Sequence, residues 1–275
     1  PSASAESVLI RKTAWIKTTG PEASPQSITL DGYKQVTIDG PIGSLQDAEP
    51  RTHGDVYVVS QDADIVLTEE SGWIETNGRV VLEAANIDLA GVIKNGAASA
   101  ADPDPGDPMA AANYEVVVLP SQTLSLTGDV DAYGSVLIDV PADLTIRGQV
   151  EAGGVETFVF PTEAHGFDED AAGYEILRIA APNITVGGGE AVAGEDFPDY
   201  NEDGNPDLSP GQTFPEGVAL IASGRLILDT PGNLGVHHGT ELITRHAGSQ
   251  VELTASNIDV MGSLYSGFEH GRVVM

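Results

Sequence analysis

The chain has 275 residues, with 12 Lys and Arg against 42 Asp and Glu and a formal net charge of −30 at pH 7. A surface this acidic excludes nucleic acid and anionic lipid as natural partners, because gripping phosphate needs clustered Lys and Arg. Cysteine is absent, which excludes disulfides, thiolate metal sites and Cys catalysis, and no run approaches the roughly 18 apolar residues of a membrane helix.

Apolar residues make up 41% of the chain, enough to build a core despite the charge. From the N-terminus, residues 1–7 read as a small, polar linker. Short strands are expected at 8–10, 14–16, 28–30 and 36–38, each stopped by glycine, proline or charge. Residues 41–54 read as a polar loop, and strands resume at 56–59 and 65–67. The clearest unit covers 73–93. Here Asn77-Gly78 precedes an apolar strand at 80–82, the small corner Ala84-Ala85-Asn86 follows, and a second strand at 87–89 ends at Ala90-Gly91.

That grammar returns at 134–150, 224–239 and 248–264. Three acidic, proline- or glycine-rich insertions interrupt it, at 95–113, 161–175 and 187–216. Strands are expected between them at 114–119, 124–126, 155–160, 176–180 and 184–186. Residues 271–275 repeat the opening at 78–82, so the chain is expected to be a piece of something longer.

No stretch carries a helical period, and β-branched residues dominate the apolar clusters. Repeats of about 20 residues with glycine corners point to an all-β fold, a right-handed parallel β-helix (β-solenoid) forming one domain over 1–275. The insertions would leave at corners, where they disturb no stacking. Val80, Leu82, Ile87 and Leu89 are expected to form inward ladders with Val136, Ile138, Leu144 and Ile146, and with Val251, Leu253, Ile258 and Val260. The alternative on the same pattern is an antiparallel β-sandwich.

The segments 78–93 and 248–267 resemble the filamentous-haemagglutinin type of β-helical secreted exoprotein, whose repeats alternate glycine, strand, a phrase of the form A-x-x-I-x-L/V-x-G, and another strand. The resemblance implies a long surface or secreted adhesin, or a structural fibre, of a Gram-negative-type bacterium. The chain departs from that family in its long acidic insertions.

The sharpest local motif is Asp199, Asn201, Asp203, Gly204, Asn205 and Asp207. It resembles an EF-hand-like calcium loop, with oxygen donors at alternate residues and glycine where the chain turns sharply. Position 12 is Pro210 rather than Glu, so a bidentate ligand would come from Glu195, Asp196 or Glu216. Asp168, Glu169 and Asp170 lack alternate spacing and read as a solvated loop. Asp102, Asp104 and Asp107 sit between prolines and read as a stiff exposed loop. His237 and His238, with His246 nearby, read as surface residues at a turn before Gly239, because neighbouring strand residues face opposite ways. Gly187-Gly188-Gly189 lacks the lysine and helix of a phosphate loop. Trp15, Trp73 and the tyrosines would line a sugar groove, cap a solenoid end or cover a sheet face.

These readings favour a structural or adhesive segment of a bacterial cell-surface or secreted exoprotein, extracellular and Ca2+-stabilised. Its partners would be cell-surface groups, carbohydrate among them, or copies of itself. One alternative is a β-helix polysaccharide lyase or glycosidase, which would need paired carboxylates such as Asp139 and Asp229. Another is a self-assembling sheath or surface-layer subunit.

Overall fold

The computed structural model describes residues 2–17, 27–43, 54–76, 78–96, 114–153, 175–187, 218–245, 248–266 and 272–275. Every strand pairing among them is parallel. That rules out the antiparallel sandwich and makes the fold a parallel β-solenoid.

Each coil lays strand on three faces. The first coil contributes β1 (Ser2–Ile10), and the second β2 (Ile28–Ile38) and β3 (Pro41–Gly43). The third holds β4 (Val56–Leu67) and β5 (Trp73–Thr76), and the fourth β6 (Val80–Leu89) and β7 (Val92–Asn95). The fifth holds β8 (Val116–Leu126) and β9 (Asp129–Ala132). In all of these the first strand wraps around two faces. Later coils split it. The sixth has β10 (Val136–Asp139), β11 (Leu144–Ile146) and β12 (Val150–Ala152). The seventh has β13 (Ile176–Ala180), β14 (Ile184–Val186) and β15 (Ala219–Ala222). The eighth has β16 (Arg225–Asp229), β17 (Asn233–Val236) and β18 (Glu241–Thr244). The ninth has β19 (Gln250–Thr254), β20 (Asn257–Val260) and β21 (Ser263–Ser266), and β22 (Arg272–Val274) opens a tenth. Faces one and two share a 14-stranded sheet, and face three is an 8-stranded sheet.

The two kinds of corner have different causes. In the early coils the strand bends through a register shift, between Ala84 and Asn86 on β6 for instance, as a β-bulge does. In the later coils Pro141, Pro182 or Pro231 stands at the bend. Proline has no N–H for the ladder, so the strand ends there.

The inward ladders run as the repeat predicts. Val80 stacks through Val116, Val136, Leu177 and Leu226 to Val251, and Leu82 through Val118, Ile138, Ile179 and Leu228 to Leu253. On face two, Leu144 leads through Ile184 and Leu234 to Ile258, and Ile146 through Val186 and Val236 to Val260. Face three adds Ile42, Ile74, Ile93, Val130, Val150, Leu220, Leu242 and Leu264. These ladders form one continuous core. Burial of each fully covered Val, Leu or Ile is worth about 1.5–3 kcal/mol, so stability is distributed along the stack.

Between faces two and three the corner is a column of glycines. A Cβ on Gly128 would meet Gly91 O at 2.0 Å, and one on Gly148 would meet Gly128 O at 1.8 Å. Neither has a left-handed φ. These glycines serve close stacking of backbone on backbone rather than an unusual dihedral.

Four local expectations change, one of them in the expected polar loop at 41–54, where Pro41–Gly43 form β3 and pair with β5. Residues 1–7 are not all linker: β1 starts at Ser2, because its backbone pairs with β2 from Ser2↔Thr29 onward. Residues 14–16 make only the isolated bridge Ile16↔Ile42. There Pro41, beside Ile42, has no N–H to extend the pairing. Residues 73–76 close the third coil instead of opening the fourth, and pair with β7. The expected strand at 155–160 lies outside the described residues.

The detours leave at corners. The described chain breaks off after β7 and after β12, both at the turn from face three to face one, and after Gly187, at the turn from face two to face three.

Candidate functional site

The outer side of face two carries an open surface depression. It has a volume of about 370 Å3 and is lined by Asn183 and Thr185 of the seventh coil, Asn233 and Gly235 of the eighth, and Asn257 and Asp259 of the ninth. Strand alternation explains its make-up. Ile184, Leu234 and Ile258 point into the core, so their neighbours point out.

Two outward columns frame the site. At the corner between faces one and two stands a column of amides. Asn183 Oδ1 accepts from Asn233 N at 2.8 Å and from Asn233 Nδ2 at 3.1 Å, and Asn257 Nδ2 donates to Asn233 Oδ1 at 2.9 Å. The column begins further down, where Asn183 Nδ2 donates to Asp143 Oδ1 at 2.7 Å. Each amide is held by the coil next to it, so the rail is rigid.

The second column runs Thr145, Thr185, Gly235, Asp259. Gly235 leaves it without a side chain at one rung. A Cβ placed there would touch only His237, with Nε2 at 3.6 Å. The floor of the depression is therefore bare backbone, with Thr185 on one rung, Asp259 on the next and the His237 imidazole alongside. Among the described residues the side chains of Thr185, His237 and Asp259 and the Oδ1 of Asn257 make no hydrogen bond. Each rail amide also spends only one of its two N–H groups on the coil next to it, so the site offers donors and acceptors together. His237 does precede the turn at His238-Gly239, as expected, while His246 lies outside the described residues.

A second feature lies on the outer side of face three. Glu151 on β12 meets Arg245, just beyond β18, with Oε1 2.6 Å from Nη1 and side-chain exposures of 10% and 12%. The contact is close, yet Oε1 accepts no well-aligned hydrogen bond, so charge attraction is the larger part of it. Burial raises the Glu151 carboxyl above its usual 4.5, and Arg245 pulls it back only in part. Glu241 is raised by burial as well. Asp131 stands on the rung before Glu151 and Ile221 on the rung after.

Asp139 and Asp229 share an outward column of face one, with Ala180 on the rung between them. Two rungs put their backbones roughly 10 Å apart, and Arg178 Nη2 holds Asp229 Oδ2 at 2.9 Å. The pair is thus tied into a cross-coil ion pair on one side. Trp15, half exposed, donates from Nε1 to Gly43 O and carries Lys17 4.0 Å above its ring. Trp73 lies on the outer side of face three, with Lys94 5.5 Å from its ring centre. The two tryptophans thus lie at the first coil and over a sheet face, away from the depression; Tyr174 and Tyr200 lie outside the described residues.

Asp199, Asn201, Asp203, Asn205 and Asp207 lie outside the described residues, as do Asp102, Asp104, Asp107, Asp168, Glu169 and Asp170. Among the described residues no group of three or more His, Asp or Glu is gathered to hold a metal ion. The depression on face two was not anticipated from sequence. The alternation Leu234-Gly235-Val236 places a glycine at an outward strand position, and that is the signal that marks it.

Compared with known protein families, curated proteins and solved structures, the chain matches none.

Proposed function

We propose that the chain is a structural and adhesive β-solenoid segment of a bacterial cell-surface or secreted exoprotein, working outside the cell. The observation that carries this reading is the unbroken stack. Face-one ladders run from β2 to β19 without a missing rung, while the insertions leave only at corners. A stack of this kind is stiff along its length and offers long faces to a partner. The net charge of −30 keeps such a surface soluble and turns anionic partners away. Calcium bound by Asp199, Asn201, Asp203, Asn205 and Asp207 belongs to the proposal, supported by the alternate spacing of oxygen donors.

The test is direct. Beads coated with the purified chain should adhere to glycan-bearing surfaces, and solution scattering should return a rod. Failure of adhesion across neutral and charged glycans, with the rod intact, leaves a purely structural segment.

A further inference from the structure

We infer that the depression at Gly235 is a binding site for one or two sugar units of a neutral glycan, a site that rests on the adhesive reading above. Three observations combine. The first is shape. Thr145, Thr185 and Asp259 occupy their rungs with side chains, whereas Gly235 leaves backbone exposed between Thr185 and Asp259. The volume of about 370 Å3 falls in the range of small-molecule sites. The second is rigidity. The Asn183–Asn233–Asn257 rail is cross-bonded between coils, so the wall is in place before a ligand arrives and little ordering is needed on binding.

The third is hydrogen-bonding sense. Among the described residues Asn257 Oδ1 and the Asp259 carboxylate accept no hydrogen bond, the Thr185 hydroxyl makes none, and Asn183, Asn233 and Asn257 each keep one amide N–H to spare. A ligand that fits must both donate and accept several times in a small volume. Vicinal hydroxyls do that. The Asp259 charge, on a chain of net charge −30, repels an anionic sugar and accepts strongly from neutral hydroxyls, since bonds to a charged acceptor are about twice as strong as neutral ones. The edge of the His237 ring stands beside the bare floor, its Nε2 3.6 Å from where a Cβ on Gly235 would lie.

Gly235 also makes the test clean. A Cβ there meets nothing closer than the His237 ring edge at 3.6 Å, and no left-handed φ is involved, so Gly235→Val places its side chain in the depression on the outer side of the sheet, away from the core ladders. The full chain and the Gly235→Val and Asp259→Ala variants are titrated calorimetrically with hexamers of neutral hexoses and with polygalacturonate. The expected result is binding of a neutral hexamer, a loss of about tenfold or more in both variants, an unchanged melting temperature for Gly235→Val, and no binding of the polyanion. If the neutral hexamer binds all three proteins alike, this site is wrong and the adhesive reading survives on another face. If polygalacturonate binds more tightly than the neutral oligomers, the charge argument fails and the proposal with it. If the unaltered chain binds no glycan, both the site and its carbohydrate partner are overturned.

Discussion

Arg245 reaches across one whole coil to Glu151, its Nη1 2.6 Å from Glu151 Oε1, with Ile221 on the rung between. Both side chains are about nine-tenths buried on what is formally the outer side of a sheet. Removing the cation strands a buried carboxylate. Arg245→Met should therefore cost about 3–5 kcal/mol at neutral pH, read from urea denaturation.

The same pair sets a pH dependence. Burial raises the folded-state carboxyl of Glu151 above 4.5, so between the unfolded and folded values the native state binds more protons. Stability from this group is then complete below about pH 4.5 and is lost as pH rises through the folded value. Relative to Glu151→Gln, the unaltered chain should lose stability as pH climbs through that window. Glu241, also raised by burial, is present in both proteins and cancels in the difference. A difference curve that is flat, or that rises with pH, would contradict the burial argument.

The corner glycines make a second, sharper contrast. A Cβ on Gly148 would lie 1.8 Å from Gly128 O, whereas one on Gly235 would meet only a histidine ring edge at 3.6 Å. Backbone cannot yield as a flexible side chain does. Gly148→Ala should destabilise by roughly 1–3 kcal/mol or more, the range of overpacking. Gly235→Ala should be neutral or stabilise by up to about 1 kcal/mol, since it removes backbone freedom from the unfolded chain. Equal melting temperatures for the two variants would remove the stacking role given to the glycine column.

A solenoid core should fail locally. Ile138 is fully buried between Val118 and Ile179. Ile138→Ala should cost about 2–5 kcal/mol. Each coil contacts only its neighbours, so amide exchange should accelerate first in β8, β10 and β13 and last in β1 and β21. Uniform acceleration over the whole chain would mean that the stack melts as one block.

How much of this was written in the chain can be judged residue by residue. The ladders from Val80, Leu82, Ile87 and Leu89 were legible because apolar residues recur in step with glycine. The third face was legible only in part. Beside its aliphatic ladder a second inner column passes from Thr76 and Asn95 through Ala132, Ala152 and Ala222 to Thr244, and small or polar residues carry no hydrophobic signal. β1 was half missed for the same reason: Ser2–Ala5 are small residues in the sequence, with no apolar alternation to mark a strand. The depression at Gly235 was harder still. It depends on a missing side chain beside Thr185 and Asp259, neighbours known only once the register is fixed. The Glu151–Arg245 contact likewise crosses two insertions, at 161–175 and 187–216, whose lengths hide the spacing.

Calcium binding by Asp199, Asn201, Asp203, Asn205 and Asp207 has a direct test in the melting temperature. The segment carrying Asp199 to Asp207 joins Gly187, at the end of β14, to Val218, just before β15. Both ends are fixed in the stack: Gly187 N donates to Ile146 O at 2.9 Å, and Glu241 N donates to Val218 O at 3.0 Å. An ion held in that loop binds only the folded chain, and at a hundred times its dissociation constant would add about 2.7 kcal/mol. Chelation should lower the melting temperature, and calcium should restore it. The double variant Asp203→Asn, Asp207→Asn should start at the lower temperature and ignore both reagents, because two of the oxygen charges that hold a hard cation are gone. Because the loop hangs from a corner, the exchange effect should centre on β14 and β15 rather than on β4 or β6. A melting curve indifferent to chelator in the unaltered chain would reduce Asp199–Asp207 to a solvated acidic detour and leave the stack to stand on its aliphatic ladders alone.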